Sequence, residues 1–406
     1  MKSSYKKLKD FIVEKVEFNE GNKYSLLQGV SNKKYFQKAK TNIIDVDLSK
    51  YRVAHYDQFV FNRATTRNGE KISIALRKGE SCIVSPSYRI FEVADKNILH
   101  PDYLMMWFSR PEFDRYARFK SHGSAHEFFD MDEMRDIELP IPNIEKQKEI
   151  IAEYEVIENR IQLNKKLCAT LEETAQTIYK HWFEDFEFPD KNGNPYKSSG
   201  GEMVECEELG KEIPKGWRVY NLSEIVKSNQ KNIPTNNSLD FINYLDTSNI
   251  TNNKIEEVKK LDKNIDEIPS RAKRLVRAKD IIYSTIRPNL KHYGIIYEVP
   301  ENFVVSTGFI VISTNENFIN AEIIYQFLTS SSIVKFLHSK AENSVTTYPS
   351  IKPEDILNLK IILPTNNNSL FSDFEIVFKK IQEKTLQNRK LEELKSLLLG
   401  KMAVER

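Results

Sequence analysis

Apolar residues follow two different periods along the chain. In short runs they alternate, as in Phe59-Val60-Phe61-Asn62 and Ile281-Ile282-Tyr283-Ser284. That is the period of a strand with one face inward. In two long stretches they instead recur in steps of three and four. The first stretch runs from about Ile144 to Phe183 without glycine or proline, through Ile150, Tyr154, Ile157, Ile161, Asn164, Cys168, Leu171, Ala175, Ile178 and Trp182. The second runs from about Leu370 to Val404, through Phe374, Phe378, Ile381, Thr385, Asn388, Leu391, Leu394, Leu398 and Met402, with a register shift near Leu391. Both read as coiled-coil seams. Each follows an apolar run ending in proline, Leu139-Pro140-Ile141-Pro142 or Ile361-Ile362-Leu363-Pro364. Helices of roughly 35 to 40 residues are about 50 to 60 Å long, which overshoots a domain of about 150 residues with a radius near 15 Å. Two such rods with one seam each are expected to bury each other.

The order of features occurs twice. Val84-Ser85-Pro86-Ser87-Tyr88 corresponds to Val305-Ser306-Thr307-Gly308-Phe309, PDYLMMWF from Pro101 to AEIIYQFL from Ala321, and YKKLKDFI from Tyr5 to WRVYNLSEIV from Trp217. Tyr24-Ser-Leu-Leu-Gln and Tyr244-Leu-Asp-Thr-Ser hold comparable places. The fold class expected is mixed α/β (α+β). Two copies of one globular domain, 1–143 and 214–366, are each followed by a long helix, 144–186 and 367–406, and 187–213 forms a linker rich in Gly, Asn, Ser and Pro. Pseudo-twofold symmetry then predicts antiparallel helices with the heads held apart. Asn164 and Asn388 fall near the middle of their seams and are expected to face each other, setting register at some cost in stability.

Composition narrows the class. The 406 residues are 40% hydrophobic and 29% charged with a net charge of +2, so basic surface must be local. Cys82, Cys168 and Cys206 lie far apart without zinc or disulfide spacing. No signal-like N-terminal run or apolar stretch of about 18 residues is present, so a cytoplasmic protein without membrane contact is expected.

Basic and polar residues cluster after the same strand in both copies. The first copy has Arg63, Thr65, Arg67, Asn68 and Lys71, then Arg115, Arg118, Lys120, His122 and Ser124. The second has Arg271, Lys273 and Arg274 before the strand, and Arg287, Asn289, Lys291 and His292 after it. Such residues neutralise phosphates and read base edges, so all of these are candidate contacts to double-stranded DNA. No catalytic or metal site is expected. The nearest methyltransferase-like stretch, Asn194-Pro195-Tyr196, lacks a second proline, and no nucleotide-phosphate loop occurs. Two other readings stand beside DNA recognition: a two-headed protein-binding scaffold, and an enzyme with an unrecognised site.

The corner LPIPNIEKQKEI, with Gln147 after the prolines, is similar to the junction of recognition domain and helix in the specificity subunits of type I restriction-modification systems. IPKGWRVYNLSEI from Ile213 resembles the start of their second target-recognition domain. After Pro364, TNNNSLFSDFEIVF departs from the family by lacking a Glu-x-x-Gln pattern. The resemblance spans essentially the whole chain. It implies a non-catalytic DNA-reading subunit whose two heads each read half of a bipartite target. Its coiled coil, with Ile157, Ile161, Asn164, Leu171, Ile381, Asn388, Leu394 and Leu398 on the seam, would set the spacer and dock two methyltransferase subunits. Two restriction subunits, combining nuclease and translocase, would join them. The chain itself would bind no cofactor; the partners would use S-adenosylmethionine, ATP and Mg2+.

Overall fold

The computed structural model describes residues 5–39, 46–64, 71–122, 127–234, 239–315, 318–344, 348–365 and 369–403. The chain divides into two compact units, Met1–Leu163 with Gln387–Arg406, and Asn164–Leu386. Both boundaries fall inside the long helices, Ile144–Tyr179 and Ser369–Lys401.

In the first unit, strands Ile12–Lys15, Tyr88–Val93, Phe59–Asn62 and Ile74–Leu76 form one antiparallel sheet in that order. Period two places Phe59, Phe61 and Phe91 on one face and Val60 and Ile90 on the other. Both faces are covered. The phenylalanine face meets helix Pro101–Phe108, where Phe59 stacks on Phe91 at 4.9 Å and Phe108 abuts both edge-on. The other face packs with Ala54, Cys82 and Val84 of the paired strands Arg52–Ala54 and Cys82–Val84. Strand Tyr5–Lys7 pairs with Glu138–Pro140, so the start of the unit is joined to its proline corner.

The second unit repeats this plan. Val226–Ser228, Phe309–Thr314, Asp280–Ser284 and Tyr293–Ile296 form the corresponding sheet. Ile281 and Tyr283 face one core and Ile282 the other. Trp217–Asn221 pairs with Lys360–Pro364. Even the turn before the central strand is repeated. Gln58 Oε1 accepts the His55 amide at 2.8 Å, and Asp280 Oδ2 accepts the Arg277 amide at 2.7 Å.

The long helices pair antiparallel within each unit. In the first, Lys395 of the second helix donates to Glu158 of the first at 2.6 Å, and the Asn388 amide donates to the Ile161 carbonyl at 3.4 Å. In the second, the Cys168 thiol approaches the Ile381 carbonyl at 3.8 Å, and Trp182 meets Phe374 edge-on. Of the expected seam, Ile161, Asn164 and Ile381 are buried, while Ile157, Leu171, Asn388 and Leu398 are half-buried. Leu394 is not on the seam, being 50% exposed. After Leu391 the pattern takes a four-residue step to Lys395 instead. The heptad has slipped by three residues upstream, which re-aims the stripe. Lys395 fits because its stem lies along the seam while its ammonium reaches Glu158 and the Tyr154 ring.

The stretch expected to be a linker is folded. Met203–Cys206 and Lys211–Pro214 form a hairpin, and Phe188 stacks between Tyr196 and Trp217 at 4.6 and 4.8 Å. Its glycines serve turns and close packing: Gly200 and Gly210 have positive φ, and a Cβ at Gly201 would collide with the Tyr196 ring. Tyr196, part of the candidate methyltransferase-like stretch, is thus a packing residue whose hydroxyl donates to the Glu202 carbonyl.

Candidate nucleic-acid interface

The central strand of the first unit ends at Asn62, whose side chain accepts the Ala64 amide at 3.1 Å. This Asx turn directs the chain out of the sheet. Ala64 bridges Phe128, and the Phe129 amide donates to the Arg63 carbonyl at 2.8 Å. The loop after the strand is therefore tied to the loop before helix Met131–Arg135. Arg63 Nη1 donates to Asp130 at 3.2 Å, and its guanidinium lies over the Phe128 ring at 4.8 Å. Arg89 grips the same carboxylate with two bonds of 2.8 and 3.1 Å. Burial alone would raise the Asp130 carboxyl, yet Arg89, the Met131 amide and Arg63 hold it below its ordinary value.

The other candidates of this unit separate. Thr65, Arg67, Asn68 and Ser124 lie outside the described residues. Lys71 is exposed. His122 is exposed and joins Phe128 by a pair of backbone hydrogen bonds, which places it beside Arg63. Arg118 pairs with Glu127 one residue away from Phe128. Arg115 pairs along its own helix with Glu112 at 3.0 Å. Lys120 does not join them. It lines a groove of about 580 Å3 with Tyr5, Trp107 and Arg110.

In the second unit the chain leaves its strand through Ser284, whose hydroxyl donates to the Ile286 carbonyl at 2.9 Å. Ile286 bridges Ser350, and the Arg287 amide donates to the Pro349 carbonyl at 2.8 Å. Arg287 and Lys291 both adopt left-handed backbone, with φ of 48° and 58°, and bracket a single turn Pro288–Leu290. Two non-glycine residues held there store strain that the surrounding bonds must maintain. The result exposes Arg287, Asn289 and Lys291 on one short loop. The Arg287 guanidinium lies over the Tyr348 ring at 4.9 Å.

His292 was expected to read DNA and is instead engaged internally. Its Nδ1 lies 2.6 Å from the Ile250 carbonyl and 3.3 Å from the Thr251 hydroxyl. Arg274 is half-buried on strand Ala272–Leu275, and burial lowers its pKa. Arg271 and Lys273 are exposed on either side of Ala272.

Sequence reasoning missed Arg52, Arg89, Phe128 and Tyr348. Nε and Nη1 of Arg52 are buried without a hydrogen-bond partner among the described residues, and burial followed by Arg89 depresses its pKa. The only signal for Arg89 was a cation inside an apolar strand. Phe128 and Tyr348 stood in loops, where an aromatic carries no periodic pattern.

The sequence matches the family described as type I restriction modification DNA specificity domain over residues 6–173 and again over 214–396. The specificity subunit of the MjaIX type I restriction enzyme of Methanocaldococcus jannaschii is 28% identical over 318 residues, which is 74% of this chain and 68% of that protein. The HindI specificity subunit of Haemophilus influenzae is 26% identical over 191 residues, 47% of this chain and 41% of that one. Among solved structures, the S subunit of a type I restriction-modification system from M. genitalium superposes with a TM-score of 0.53 at 12% identity, covering 98% of this chain and 95% of that chain. This last likeness speaks to the fold. The chain belongs to the type I restriction-modification DNA specificity family. It is a DNA-recognising specificity subunit, and the reading as a protein-binding scaffold finds no support in these relatives. Among the described residues, no helix is long and apolar enough to cross a membrane.

Proposed function

We propose that each unit reads one half of a bipartite, asymmetric double-stranded DNA target, with the paired helices setting the spacing between the halves. The observation that carries this reading is the doubled family match, because each matched segment has basic residues immediately after the same central strand. Arg63, Lys71 and His122 are the described reading residues of the first unit, together with the expected Thr65, Arg67, Asn68 and Ser124. Arg287, Asn289 and Lys291 serve the second, with Arg271 and Lys273 on phosphates. The divergence of the two loops gives the two half-sites different sequences.

Two methyltransferase subunits would dock on the helices and methylate adenine with S-adenosylmethionine; two restriction subunits using ATP and Mg2+ would complete the assembly in the cytoplasm. Apolar residues on the outer helix faces support docking. In the first unit, Val156 and Leu163 on the first helix are 70% and 56% exposed, and Leu394 and Leu397 on the second are 50% and 65% exposed. The chain would bind no cofactor of its own.

The test is methylation mapping in cells that express the chain with its partner subunits. A bipartite adenine-methylated motif is expected. Exchange of 63–71 should alter one half of it and exchange of 287–292 only the other. If both exchanges altered both halves equally, the two units would not be independent readers.

A further inference from the structure

Both units hold an arginine over an exposed ring by the same backbone arrangement. In the first, Ala64 bridges Phe128, so the antiparallel register sets Arg63 opposite Phe129; the ring under Arg63 belongs to the preceding residue, Phe128. In the second, Ile286 bridges Ser350, so Arg287 stands opposite Pro349; the ring under Arg287 again belongs to the preceding residue, Tyr348. The arginine has moved two positions forward on one strand and the aromatic two positions back on its partner. An antiparallel ladder requires that compensation if the pair is to survive a shift. A shift by one would have sent both side chains to the other face. The pairing therefore persists although neither residue keeps its place in the repeat.

Burial does not account for the rings. Phe128 is 36% and Tyr348 57% exposed. Each ring instead lies under a guanidinium, which is the geometry of a cation–π contact. Such a contact fixes the plane of the guanidinium, and a fixed plane is what two-pronged hydrogen bonding to a guanine edge requires. Each arginine also has a second restraint. Asp130 takes one Nη1 hydrogen of Arg63 and leaves the rest of the fork. Arg287 has no ion pair among the described residues; its left-handed backbone aims it.

We propose that Phe128 and Tyr348 are positioning residues for base recognition, each orienting one arginine to read a guanine in the major groove of its own half-site. The proposal rests on the DNA-reading function and adds to it the residues and the base. Removal of a ring should reduce specificity at one base pair without changing the number of phosphate contacts.

The experiment uses the full chain co-purified with its methylating partner and competition binding to duplexes varied at single positions. Phe128→Leu should lower discrimination for guanine at one position of one half-site by about tenfold, and Tyr348→Leu should do so only in the other half. The slope of log affinity against log salt should stay unchanged, because it counts phosphate contacts. Phe128→Tyr and Tyr348→Phe keep the ring and should retain discrimination; a Leu variant that fails to fold leaves Phe128→His and Tyr348→His as the ring-retaining, weaker-stacking comparison, with discrimination expected to fall partway. Arg63→Lys and Arg287→Lys separate the two levels of the argument. If they lose guanine discrimination while loss of the ring does not, these arginines read DNA but the positioning role is wrong. If the Leu variants weaken all duplexes equally, the rings are structural and the proposal is overturned.

Discussion

At the first proline corner the long helix is held by its own amide, Gln147; at the second it is held by an amide from the facing loop, Asn320. Gln147 is fully buried. Its Nε2 donates to the Ile98 and Pro142 carbonyls and its Oε1 accepts the His100 amide, all at 2.8 Å. The seam places Phe371 at the corresponding position of the second helix, since Ile150 matches Phe374 and Tyr154 matches Phe378. There the ring enters the core, and Asn320 donates to the Phe371 carbonyl at 2.9 Å. Asn320 also caps helix Ala321–Thr329 by accepting the Ile323 amide at 3.2 Å, just as His100 caps Pro101–Phe108. The buried amide has crossed from helix to loop. Both corners still satisfy the polar groups trapped where a strand turns into a helix, so the family pattern can vanish from one helix without loss of its physical function.

The largest expected effect tests that equivalence. Gln147→Ala removes all three bonds, at roughly 1 kcal/mol each, and empties the space of a fully buried side chain, costing about 4 kcal/mol in all. Asn320→Ala removes one bond and one cap and should cost about 2 kcal/mol. Hydrogen exchange should show the loss at the start of the first helix for the former and of the second for the latter. Equal losses at both helix starts in either variant would end the comparison.

A second contrast concerns titratable groups beside the seam. In the second unit, burial pushes the Glu172 carboxyl up to about 7 despite a hydrogen bond with Asn253. Lys395 in the first unit is also partly buried, which alone would lower its pKa, but Glu158 raises it overall. One charge is opposed by its surroundings and the other is matched. For Glu172 the folded pKa exceeds the unfolded value of 4.5. Between 4.5 and about 7 the folded chain keeps a proton that the unfolded chain releases, so stability falls as pH rises through that window. Glu172→Gln should therefore be more stable than the parent by about 3 kcal/mol at pH 8 and nearly equal to it at pH 4.5. Urea unfolding at both pH values measures the difference; a constant gap would remove Glu172 as its source.

The smallest effect belongs to the matched charge. Lys395→Met keeps the stem in the seam and loses the pair with Glu158, whose side chain is 32% exposed. The change in stability should stay within about 1 kcal/mol, because a partly solvated ion pair contributes little beyond its solvation cost. A loss of several kcal/mol by thermal unfolding would mean that this pair, rather than the apolar stripe, holds the helices in the first unit.

The two-copy organisation was legible because it rests on short-range periodicity. Period two in FVFN and IIYS, and three-four steps from Ile150 to Trp182, each follow from the geometry of one element, whatever it packs against. The basic residues after the strands were legible for the same reason. The turn closed by Asp280 is equally local, since its partner Arg277 is three positions away.

Tertiary structure decided matters that depend on partners distant in sequence. Lys395 replaced Leu394 on the seam because Glu158 and Tyr154 lie across from it. The stretch rich in Gly and Asn became a hairpin through Phe188, Tyr196 and Trp217. His292 was engaged by Ile250, while Arg89 joined Arg63 at Asp130. Composition and spacing identify which residues can donate, accept or stack. Which of them do so is set by the register of strands and loops that meet only after folding.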